Sequence, residues 1–136
     1  MPSIYTSQVA VTQNVGPSNS TFTQIPGLSA LTVTDQELQF GGTAFINLFL
    51  GQVSWSGGSF LNVAINETVS GTLISRVYCT SGAQGACVIN VSATYTIPAN
   101  AQPQFTATWM VDRTSGAQIL VPTTFSFTAM VFESFN

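Results

Sequence analysis

The sequence predicts an all-β sandwich, and three observations predict it. β-Branched and aromatic residues dominate the apolar 45% of the 136-residue chain. No segment sustains a capped apolar period of 3.6 residues. Clusters of Gly, Pro, Asn and Ser recur between short apolar runs, as between strands. The length suits one domain, residues 1–136, with no internal repeat or linker.

Taken in order, the first strand is expected at Ile4–Val15, where Val9 and Val11 alternate with polar neighbours. Thr21–Ile25 follows and stops at the turn Pro26-Gly27. Ser29–Thr34 and Glu37–Phe40 are short strand candidates. Thr43–Trp55 and Phe60–Asn66 are linked by Gly57-Gly58. Thr72–Cys79 and Cys87–Ile97 come next, then Pro98-Ala99-Asn100, where a missing backbone donor does no harm. Gln104–Val111 and Thr123–Glu133 complete the set, with Ser115-Gly116 as a hairpin turn between them. About ten short strands suit a jelly-roll sandwich.

Two segments carry apolar residues on both faces: Phe45 to Leu50, and Phe125 to Phe132. One face fills a sandwich core. The other needs a second cover, and a subunit interface is the natural one in so short a chain.

Charge is scarce, at 5% of residues, with no His and no Lys. The basic residues are Arg76 and Arg113; the acids are Asp35, Glu37, Glu67, Asp112 and Glu133. Two separated arginines cannot form the cationic cluster that nucleic acid or an anionic membrane surface requires. A surface of hydroxyls and amides hydrogen-bonds neutral partners such as sugars, and equally suits neutral fibres and capsids. No run is long enough for a transmembrane helix, so no membrane insertion is expected. The N-terminus shows no signal peptide, so an extracellular or surface location implies prior removal or another export route.

Without His, neither a Ser-His-Asp nor a Cys-His arrangement can be assembled. Without Lys there is no Schiff base and no Walker-type loop. The carboxylates are scattered except Asp35 and Glu37, which read as a solvated turn rather than a calcium site. A binding protein is expected, with no enzyme activity, metal or cofactor. Cys79 and Cys87 flank seven residues that look like a hairpin loop. They read as a disulfide of an oxidising compartment, or else as two small buried residues lying close together. The glycosylation patterns at Asn19, Asn66 and Asn90 are explained by chance in a chain rich in Ser and Thr.

Met1-Pro2, the run Thr21-Phe22-Thr23-Gln24-Ile25-Pro26-Gly27-Leu28, Trp109 with Arg113, Ser115 and Ile119, and the closing Ser126-Phe127-Thr128-Ala129-Met130 belong together. In these the chain resembles the TNF-like trimeric fucose-binding lectins, known as the N-terminal module of a bacterial superlectin. The resemblance implies a jelly-roll protomer, a homotrimer, and calcium-free sites for fucosylated or similar cell-surface glycans between protomers. It places Arg113, Tyr78 and Trp55 around the sugar, with Thr80 and Ser81 in the loop that supplies hydroxyl contacts. The family's second site arginine lies in that loop; this chain has none there, and Arg76 on the adjoining strand is the substitute. A further site tyrosine is missing near Leu61-Asn62.

An arginine fork grips two neighbouring sugar hydroxyls at once, and such charge-assisted bonds net about 1.5–3 kcal/mol. An aromatic face covering about 40 Å² of the sugar's C–H face adds roughly 1 kcal/mol. Each residue has a plainer reading. Arg113 can pair with Asp112 at a turn. Tyr78 can pack beneath the cysteine loop, and Trp109 belongs in the core. Trp55, beside Ser56-Gly57-Gly58, suits a ligand platform better. The competing functions are a structural trimer, such as a phage fibre head, capsid decoration protein or collagen-like C-terminal knob, and a cytokine-like receptor ligand.

Overall fold

The computed structural model describes residues 2–11, 21–34, 38–55, 60–80, 85–111, 117–119 and 123–135. Only the backbone is described at 11, 54–55, 60, 78–80, 85–87, 111 and 117–119.

Among the described residues ten strands form: β1 (Ser3–Val11), β2 (Thr23–Gln24), β3 (Leu31–Thr32), β4 (Gly42–Trp55), β5 (Phe60–Glu67), β6 (Thr72–Thr80), β7 (Gly85–Ile97), β8 (Gln104–Val111), β9 (Ala117–Ile119) and β10 (Thr123–Glu133). They build two antiparallel sheets. The first runs β1-β10-β4-β7, with β9 beside the C-terminal end of β4. The second runs β2-β8-β5-β6, with β3 also beside β8. The pairs are nested: β1 with β10, β2 and β3 with β8, β4 with β7, β5 with β6.

Strand alternation sorts the side chains. Along β10, Phe125, Phe127, Ala129 and Val131 are buried while Thr124, Ser126, Thr128, Met130 and Phe132 take the other face. Among the described residues, two edge-to-face aromatic pairs join the sheets across the core. Trp109 of β8 meets Phe125 of β10 at 5.8 Å, and Tyr95 of β7 meets Phe105 of β8 at 5.4 Å. The edge of the sandwich beside β1 is laced by hydroxyls: Tyr5 Oη accepts the Thr34 N–H at 3.2 Å, and Ser7 Oγ accepts the Ser29 N–H at 2.9 Å.

Gly51 marks a bulge in β4, where the register with β7 shifts between Leu50 and Gln52. The Thr123 side chain occupies the space a Cβ at Gly51 would need. Gly27, at φ +82°, ends the turn after Ile25, whose carbonyl accepts the Leu28 N–H at 3.2 Å.

Several expectations need correction. Leu38–Phe40 is a turn and not a strand, because the Leu38 carbonyl accepts from Gly41 at 2.9 Å and from Asn100 at 2.8 Å. Ala117–Ile119 is a strand the sequence reading missed. Ser115-Gly116 lies outside the described residues, but β8 and β9 belong to different sheets, so no hairpin joins them. The same holds for Cys79 and Cys87: β6 and β7 lie in opposite sheets, so the cysteines do not close a hairpin. The 12–15 part of the first expected strand lies outside the described residues.

Candidate functional site

Strand direction gathers the residues expected around a ligand at one end of the sandwich. Trp55 is the last residue of β4, and Thr80 the last of β6. Val111 ends β8 opposite Leu61, beside Thr80 opposite Phe60. The connections 56–59 and 81–84 cross between the sheets. Each reaches no more than about 18 Å at ~3.6 Å per residue, so these strand ends share one end of the molecule. Tyr78 stands two residues before Thr80, opposite Asn62 in register. Ser81 and Arg113 lie outside the described residues; they belong to the connections that leave Thr80 and Val111.

Trp55 is not a loop residue. Its backbone is flanked by Gly85 on one side and Ala117 on the other, inside the first sheet. Arg76 is exposed on β6, opposite Ala64 and four residues from Thr80. That places it about 13 Å along the strand from the loop end at ~3.3 Å per residue. The backbone thus places Trp55 and Thr80 at this end, with Tyr78 two residues back along β6 and Arg76 two residues further still. The side chains of Cys79 and Cys87 lie outside those described.

A second surface was foreshadowed by the doubly apolar segments. The outer face of the first sheet is organised in cross-strand rows. One is Ile4–Met130–Phe45–Thr94; the next, toward the loop end, is Thr6–Thr128–Asn47–Ser92; a third is Gln8–Ser126–Phe49–Asn90. Ile4 is 61% exposed, Phe45 49% and Phe132 42%. Phe45 and Phe132 meet edge to face at 5.6 Å. A shallow groove of about 710 Å³ on this face is lined by Phe45, Met130 and Thr94 of the first row and by Thr128, Asn47 and Ser92 of the second. Ser92 Oγ donates to Asn47 Oδ1 at 3.0 Å, which turns the Asn47 amide nitrogen outward from that bond. Thr6 and Thr128 share a hydroxyl bond of 3.2 Å.

The carboxylate best described has structural work. Glu67 is buried, and its Oε1 accepts from the Ser70 N–H (2.8 Å) and Ser70 Oγ (2.7 Å). Its Oε2 accepts from the N–H groups of Val69 (3.0 Å) and Gln104 (3.0 Å). Burial alone would raise its pKa. The four hydrogen bonds outweigh burial and hold it at about 2. The Tyr95 hydroxyl is pushed above its ordinary value by burial and then by the Glu67 charge. Asp35, Glu37 and Asp112 lie outside the described residues. Among the described residues, no three His, Cys, Asp or Glu side chains gather as a metal site would require. No helix among them is long and apolar enough to cross a membrane.

No family model and no curated protein sequence matches the chain. Among solved structures it is similar to a protein of the disulfide-linked pili formed by Bacillus endospore appendages. That match has 14% identity and a TM-score of 0.45, covering 98% of this chain and 92% of the other. It is similar to a chain of infectious bursal disease virus, Gx strain, at 9% identity and TM-score 0.48, covering 96% of this chain and 40% of that one. It is also similar to the CBM22-1 xylan-binding domain of Paenibacillus barcinonensis Xyn10C, at 9% identity and TM-score 0.30, covering 98% and 95%. At such identities these likenesses carry no function across.

Proposed function

We propose that this chain is a lectin: a jelly-roll homotrimer of the TNF-like fucose-binding kind. It recognises fucosylated or similar neutral glycans between protomers, without catalysis, metal or cofactor. The observation that carries the reading is the convergence of Trp55, Tyr78 and Thr80 at one end of the sandwich, where the connections bearing Ser81 and Arg113 begin. An aromatic platform, hydroxyls and an arginine fork are what a neutral saccharide needs. The nested strand pairs support the jelly-roll topology, since one long hairpin rolled over itself produces that order. Full engagement of Glu67 by four donors supports a non-catalytic role for that carboxylate. A lectin of this kind acts outside the cell or at its surface.

A Cys79–Cys87 disulfide belongs to the same proposal and would tie the two sheets together across the β6–β7 connection. Counting free thiols in the unreduced, denatured protein tests it: none is expected, and two would remove the bridge.

The test of function is a glycan array probed in the presence of a metal chelator. Retention on fucosylated glycans is expected, eluted by free sugar. Arg113→Ala is expected to weaken binding at least about tenfold, the worth of a charge-assisted hydrogen bond. A blank array at high protein concentration sinks the lectin reading. The structural-trimer alternative would then stand, favoured by the uncharged, partly apolar outer face of the first sheet.

A further inference from the structure

We infer that Gly51 is a positioning residue of the proposed sugar site. Its bulge reverses the facing of β4, so position 55 falls on the inner face of the first sheet and not on the outer one. This rests on the proposed lectin and adds which face of the strand carries the aromatic platform, and what sets it.

The reversal is visible in burial. Before the bulge, Ala44, Ile46, Leu48 and Leu50 are buried, and the odd-numbered Phe45, Asn47 and Phe49 take the outer face. Past it the phase changes: Gln52 is exposed and Val53 is fully buried. The β7 partners agree, since Leu50 pairs with buried Ile89 and Gln52 with exposed Val88. Gly51 is the extra residue between those two pairs. Successive residues alternate faces, so position 55 shares the face of Val53. In a straight strand, positions 53 and 55 would join Phe45 and Phe49 on the outer face.

Space, not backbone conformation, demands glycine here. Gly51 does not take a left-handed φ. A Cβ there would collide with Thr123 Oγ1 and lie 2.9 Å from the Thr124 carbonyl oxygen. Thr123 is the buried first residue of β10, so the neighbouring strand fills the notch. The bulge also marks an exchange of partners: β4 pairs with β10 as far as Leu50 and with β9 from Val53. An exchange of partners needs no extra residue; the extra residue sets the phase.

Phase matters to the site. The connections that bear Ser81 and Arg113 run from β6 to β7 and from β8 to β9, each crossing from the second sheet to the first. They bridge a gap of about 10 Å between the sheets at the loop end. The inner face at position 55 adjoins that gap. An aromatic residue on the outer face would lie behind its own sheet, away from both connections.

The double exchange Ser54→Trp with Trp55→Ser moves the ring by one residue, to the outer face, at unchanged composition. Affinity for a fucosylated glycan retained on the array is measured by calorimetry on the folded full chain. The exchange is expected to weaken it about fivefold or more, the worth of the aromatic cover, and as much as Trp55→Ser alone. Gly51→Ala is expected to weaken it likewise, and Thr123→Gly added to Gly51→Ala to restore it by clearing the notch. A glycine of purely structural use would lower the melting midpoint and leave the affinity of folded protein unchanged. Native affinity in the folded exchange variant, or in folded Gly51→Ala, overturns the inference; if Gly51→Ala fails to fold, the exchange variant decides. Nuclear Overhauser contacts of the native Trp55 ring read the face without any sugar. Contacts to Val53 and its β9 partner Ile119 are expected, and contacts to Gln52 and Gln118 instead overturn the assignment. A native chain with the expected contacts that binds no glycan sinks the lectin reading alone.

Discussion

The Oε2 atom of Glu67, at the end of β5, accepts the backbone N–H of Gln104, at the start of β8, at 3.0 Å. The same carboxylate holds the N–H groups of Val69 and Ser70 in the turn that leads to β6. One buried charge therefore ties a hairpin turn to the neighbouring strand. A glutamine there keeps one acceptor but turns an NH₂ group toward N–H donors. Glu67→Gln is expected to destabilise the protein by about 1–3 kcal/mol, read from urea unfolding at neutral pH.

Acid should undo the same contact. The folded pKa of Glu67 is about 2, below its ordinary 4.5, so the folded state favours the ionised form. Its stabilisation is complete above the ordinary value and is lost as pH falls from about 4.5 toward 2. The difference corresponds to something on the order of 3 kcal/mol. Urea midpoints across that window should fall in the native protein and fall less in Glu67→Gln; equal slopes would contradict the assignment.

Tyr95 gives the alkaline counterpart. Its hydroxyl is raised by burial and by Glu67, so the folded state favours the neutral phenol. Stability from this source is full below the ordinary tyrosine value and declines as pH rises through the folded one. Ultraviolet titration should show a phenol ionising above the ordinary tyrosine value, and Tyr95→Phe should remove that late step.

Two glycines should respond differently to alanine. At Gly51 a Cβ would run into the Thr123 side chain and come within 2.9 Å of the Thr124 carbonyl oxygen. Gly71 has φ +72° but open space around it. Gly51→Ala is expected to cost about 2 kcal/mol or more through overpacking, and Gly71→Ala about 1 kcal/mol through backbone strain. Thermal unfolding of the two variants checks the order.

Two phenylalanines make a similar contrast. Phe105 is fully buried against Tyr95, whereas Phe45 lies on the outer face. Phe105→Ala should cost about 3–5 kcal/mol of protomer stability. Phe45→Ala should cost far less, because about half of the ring is already in water. Unfolding measured at low protein concentration separates the two.

The strands of the core were legible because their alternation is strict. β10 places Phe125, Phe127, Ala129 and Val131 on one face, and the pattern is visible in the sequence alone. Trp109 was rightly expected in the core; its Nε1 is buried with no acceptor among the described residues. The Leu38 segment misled because its apolar residue anchors a turn through its carbonyl, a contact with distant Asn100 that local pattern does not encode. Ala117–Ile119 was missed because three residues carry too short a period, and their pairing with Val53–Trp55 is wholly non-local. Glu67 offered no signal, since its partners are mostly backbone N–H groups, which every residue type except proline supplies.

By itself the sequence determined an all-β chain with almost no charge, without the histidine and lysine that much catalysis requires, and with two segments apolar on both faces. Composition and period-two alternation are local properties, so they survive reading one residue at a time. Only the tertiary structure decided which sheet each strand joins, that Cys79 and Cys87 sit on strands of opposite sheets, and that Phe45, Met130 and Ile4 form one row. Those facts depend on pairing between residues far apart in the chain, which is set by how the whole core packs.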